Sequence, residues 1–148
     1  MKDVNKLIEN KIDVEKSLEL FGDMETYNET LEEFLNNINT KMNDIKKYKE
    51  SSDMANYAIL VHSLKSDSKY LGFTDLAEIS YNHEMESKNN NIGYVYDHYD
   101  ELVKEANRII EITSLYMGKE VKTINNSNQP INKEKQILVV DDSNVIRR

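Results

Sequence analysis

His62, His83 and His98 are the only three imidazoles in a chain of 148 residues that has no cysteine. Thiol nucleophiles, thiolate zinc sites and disulfides are therefore out, and no glycine-rich phosphate loop is present, so imidazole is the natural reactive group. A neutral ring nitrogen can attack phosphorus, hold the phosphoryl group and release it again. Helical spacing separates the three. Tyr57, Leu60, Val61, Leu64 and Leu71 set one apolar direction, and at about 100° per residue His62 points roughly 155° away from it, toward solvent. His83 and His98 fall within about 40° of the apolar directions of their own helices by the same arithmetic, as packed or flanking residues.

The neighbours of His62 on that outward face, at spacings of three, four and seven, are Ala58, Ile59, Lys65, Ser66 and Lys69. Ala58 and Ser66 are small enough to let another protein approach the ring. Lys65 and Lys69 place two cations beside it in a chain of net charge -8. A nucleophilic nitrogen, steric access and local positive charge together suit phosphoryl transfer. Each feature alone has a plainer reading: an outward histidine is an ordinary surface residue, two lysines are solvated charges, and Ile59 is a scattered surface apolar side chain. His83 beside Glu84 and Glu86 offers only a weak metal pattern, and a hydrogen-bonded core histidine is the better reading.

Stable helices must hold these residues, and the composition favours them. Four glycines and one proline are too few to turn a β-sandwich or barrel of this length. The spacing predicts an all-α fold, an antiparallel four-helix bundle with a short N-terminal lead-in helix. The lead-in carries Ile12, Leu18, Leu20 and Phe21 and stops at Gly22, after which Asp23 can cap the first long helix. Met24, Tyr27, Leu31, Phe34, Ile38, Met42 and Ile45 form its buried stripe. Ser51, Ser52 and Asp53 form a polar break that can cap the helix of His62, which ends at Gly72. Thr74 can cap the next, with Leu76, Ile79 and Met85 as its apolar residues. A last helix runs from about Gly93 to Met117 with Val95, Tyr99, Leu102, Ala106, Ile109, Ile112 and Tyr116 inside.

The acidic balance argues against nucleic acid as a partner, since phosphate binding draws on clustered Lys and Arg. No apolar run reaches the roughly 20 residues of a membrane span, and the first residues lack the apolar stretch of a secretory leader. The expectation is a cytoplasmic protein that binds other proteins and neither nucleic acid nor membrane.

The residues around His62 also carry a resemblance. HSLKSDSKYLG, from His62 to Gly72, resembles the H-x-L-K-G-x5-G motif of histidine phosphotransfer (HPt) domains, with Ser66 where glycine is commonest and His83 at a position usually apolar. The preceding IDVEKSLELFGDMETYNETLEEFL is similar to the lead-in and first helix of that family, so the resemblance spans approximately residues 10 to 118. It implies that His62 accepts a phosphoryl group from a receiver-domain aspartyl phosphate and passes it to another. Lys65, Ser66, Lys69, Ala58 and Ile59 become phosphate and partner contacts. The implied partners are response-regulator receiver domains and hybrid histidine kinases. The implied protein is a monomer that carries no cofactor of its own, Mg²⁺ being expected on the partner receiver, and it has no ATP-dependent kinase activity. The alternative is a helical interaction module that docks receivers and never carries phosphate.

This gives three segments: an HPt-like bundle over 1–118, an Asn- and Lys-rich linker over 119–134, and a piece over 135–148. The last, KQILVVDDSNVIRR, resembles the first strand and helix start of a receiver domain. Asp141 and Asp142 would match that family's metal-holding acidic pair. A receiver's phosphate-accepting aspartate lies beyond it, so no metal site is assigned to this chain.

Overall fold

The computed structural model describes residues 3–124; the segment resembling a receiver, 135–148, lies outside the described residues. Six helices follow in order: α1 Val4–Glu9, α2 Val14–Phe21, α3 Met24–Glu50, α4 Met54–Leu71, α5 Thr74–Lys88 and α6 Ile92–Met117. Helices α3 to α6 form the antiparallel bundle, with α4 packing most extensively on α5 and each long helix closing against its neighbour. The lead-in is two helices rather than one: α2 lies on α3 and α4, and α1 lies on α6. No helix of the described residues is long and apolar enough to cross a membrane.

The capping residues act much as their types dictate. Asp23 Oδ1 accepts from the Thr26 N–H at 2.8 Å, Asp53 Oδ1 from the Asn56 N–H at 3.2 Å, and Asn91 Oδ1 from the Tyr94 N–H at 3.2 Å, each satisfying an orphan donor of a first turn. Thr74 is the exception. It is the first helical residue of α5, and Phe73 occupies the cap position with no side-chain bond. The phenyl ring is buried instead, edge-on to Phe34 with centroids 5.2 Å apart, so packing sets this boundary.

Gly72 ends α4 in the left-handed region at φ +86°. Its carbonyl accepts the Asp13 N–H at 2.9 Å, and a Cβ here would stand 2.5 Å from the Asp13 carbonyl oxygen. The lead-in thus docks on the end of α4 through a contact only glycine permits. Tyr27 strengthens the same corner, its hydroxyl donating to the Leu71 carbonyl at 2.7 Å.

The core follows the expected stripes: Leu31, Ile38, Met42, Ile45, Val61, Leu64, Leu102 and Ile109 are buried, as are Tyr27, Tyr57, Tyr99 and Tyr116. Two apolar residues placed on buried faces by spacing are exposed instead, Leu20 and Met85. The buried face of α5 is Leu76, Ala77, Ser80, His83, Glu84 and Ser87. Its small side chains let α5 pack extensively on α4, and with that face turned inward Met85 lies on the outer side. The segment after α6 is also held: Asn107 Nδ2 donates to the Ile124 carbonyl at 3.0 Å and its Oδ1 accepts the Ile124 N–H at 2.6 Å. Ile124 is partly buried against the core, so this part of the Asn- and Lys-rich stretch makes an apolar contact with the bundle, where composition suggested none.

Candidate functional site

Helix α4 carries His62 near its midpoint, and its side chain is 55% exposed. The outward orientation expected from the spacing is what the structure has, because Tyr57, Val61 and Leu64 take the interior. The ring is not loose. Its Nδ1 lies 2.8 Å from Glu84 Oε2 on α5. With Nδ1 turned to the buried Glu84 and more than half of the side chain exposed, Nε2 lies on the outward edge of the ring.

Glu84 organises the site. Its side chain is 3% exposed, and three cationic or donor groups converge on it: His62 Nδ1, Lys88 Nζ at 2.8 Å from Oε2, and Lys65 Nζ at 2.9 Å from Oε1. Burial by itself would raise the pKa of this carboxyl; the contacts from Lys88, Lys65 and His62 and the charge of Lys65 outweigh it and hold it down at about 2. Glu84 is therefore ionised near neutral pH and can only accept, which makes His62 Nδ1 the donor. In the neutral ring the lone pair is then on Nε2, the outward atom.

The other residues expected around His62 divide. Ile59 is exposed on the same face. Ala58 is buried rather than outward, because α5 comes down on it, but it lines the floor of a cleft beside His62 with Ala55, Ser87 and Lys88. Lys65 is on the site, yet its side chain is only 15% exposed; its ammonium is committed to Glu84 and lies 5.3 Å from the Tyr81 ring centroid. Ser66 is half-buried and Lys69 exposed. Neither lines the cleft, and Lys69 forms no ion pair among the described residues.

His83 is a core residue. Tyr57 Oη lies 2.8 Å from its Nδ1, and its Nε2 lies 3.1 Å from the His98 carbonyl oxygen. A carbonyl can only accept, so Nε2 carries the proton and Nδ1 accepts from the tyrosine. Burial pushes its pKa down to about 4, against the smaller opposing effect of the His98 carbonyl. Both nitrogens are engaged in the neutral form. His98 is the flanking residue, its ring stacked on Tyr94 at 4.1 Å. Among the described residues no group of three His, Asp or Glu side chains could hold a metal ion.

Glu84 and Lys88 are members of the site that helical spacing around His62 does not indicate. Glu84 sits where an apolar residue is the ordinary occupant, and it is buried only because three partners meet it. The available signal was the small-residue series Ala77, Ser80 and Ser87, which marks the packed face of α5, together with the i,i+4 Glu84–Lys88 pair. Comparison with protein-family models, with curated proteins and with solved structures gave no match.

Proposed function

We propose that the chain is a phosphotransfer module of the HPt kind, in which His62 Nε2 takes a phosphoryl group from a receiver-domain aspartyl phosphate and returns it to another receiver. One observation carries this reading: a buried, ionised Glu84 binds Nδ1 and leaves Nε2 outward on a half-exposed ring. A carboxylate in that position orients the ring, selects its tautomer and stabilises the imidazolium formed on attack. The HSLKSDSKYLG motif supports the same assignment.

The reading extends to the setting. The partners are receiver domains and hybrid histidine kinases, and the Mg²⁺ that offsets phosphoryl charge belongs to the receiver. The chain acts as a cytoplasmic monomer and uses no ATP. The protein is incubated with a phosphorylated receiver and assayed for acid-labile, base-stable phosphate. Label on the wild type that is lost in His62→Gln is expected. Label retained by that variant rejects His62. A wild-type chain that binds the receiver but takes no label favours the docking module instead.

A further inference from the structure

We propose that Lys88, rather than Lys65 or Lys69, is the cation that meets the phosphoryl group on His62. This deepens the phosphotransfer reading and rests on it. Lys88 Nζ and His62 Nδ1 contact the same oxygen, Glu84 Oε2, each at 2.8 Å. The ammonium therefore lies within two such lengths of the ring. Lys88 and His62 also line one cleft, which neither Lys65 nor Lys69 reaches.

The three lysines differ in freedom. Lys65 is held on Glu84 Oε1 and over Tyr81, and its side chain is 15% exposed. Lys69 lies about two turns along α4 from His62. Lys88 is 56% exposed, so its ammonium sits on the solvent side of the carboxylate, where the flexible four-carbon stem can turn it. Turning it toward Nε2 leaves the Lys65 ion pair and the His62 hydrogen bond on Glu84.

The step consumes no further reactant. Nε2 forms the N–P bond as the P–O bond of the acyl phosphate breaks, and that electron pair leaves on the aspartate carboxylate of the partner. The proton on Nδ1 stays where it is, bonded to Glu84. The phosphoryl oxygens keep their negative charge throughout, and Lys88 offsets it from this chain's side of the interface.

Potassium phosphoramidate, a small phosphoryl donor, tests this on the full chain without a receiver. Labelling is followed by ³¹P NMR and acid-labile phosphate in the wild type, Lys88→Met, Lys88→Arg, Lys65→Met and Lys69→Gln, with circular dichroism as a check on folding. Lys88→Met is expected to slow labelling about tenfold, less than loss of a buried donor costs because the ammonium is half exposed. Lys88→Arg restores most of the rate. Raising the salt concentration slows the wild type and leaves Lys88→Met nearly unaffected, a screening response that a purely structural role would not produce. Wild-type labelling in Lys88→Met, or a larger loss in Lys65→Met or Lys69→Gln, overturns the inference. A folded wild-type chain that takes no label overturns the phosphotransfer reading beneath it.

Discussion

Replacing Glu84 by Gln keeps the side-chain shape and removes the charge on which His62, Lys65 and Lys88 converge. The carboxyl pKa falls from 4.5 to about 2 in the fold, and at about 1.4 kcal/mol per unit the full shift corresponds to about 3 kcal/mol of stability. That is an upper limit. Two of the side chains that meet the carboxylate are half exposed, and solvent screening reduces the figure to about 1–2 kcal/mol. Because the folded pKa is depressed, the contribution is complete above pH 4.5 and disappears as pH falls toward 2. Urea unfolding followed by circular dichroism should show Glu84→Gln less stable than wild type by about 1–2 kcal/mol at pH 7, with the gap closing through that window as the wild-type carboxyl takes up its proton. The same variant should label His62 about tenfold more slowly, the scale seen when an orienting partner of a histidine is lost. Equal stability at pH 7, or a gap that stays constant down to pH 2, would refute the account of Glu84 as a buried anion.

His83 gives a second window: with its pKa lowered from 6.5 to about 4, stability is complete above pH 6.5 and drains away toward pH 4, by about 3 kcal/mol in all. His83→Gln can keep an acceptor for Tyr57 and a donor for the His98 carbonyl, and its unfolding curves should lose that slope; an unchanged slope means another group is responsible. Gly72→Ala should cost about 2–4 kcal/mol, because a left-handed residue gains a Cβ against the Asp13 backbone. Gly22→Ala, also left-handed but with open space around it, should cost about 1 kcal/mol. Similar melting temperatures for the two would show that the Asp13 contact does not constrain the fold.

The sequence by itself determined the helices, most of their ends and the orientation of His62. Those depend on relations within a few residues: apolar side chains every three or four positions, an Asp or Asn before a helix, a glycine after it. One turn of geometry is enough to place His62 opposite Tyr57, Val61 and Leu64. What surrounds the ring was decided by the tertiary structure alone. Glu84 lies 22 residues away, on another helix, and a buried carboxylate looks like an ordinary surface residue until the lysines that neutralise it are placed. The same contact pulled Lys65 inward and brought Lys88 to the cleft, while the packing of α5 on α4 covered Ala58. Helical periodicity reports the side a residue faces; which neighbours neutralise and orient it depends on how two helices, each carrying small residues at their contact, settle against one another.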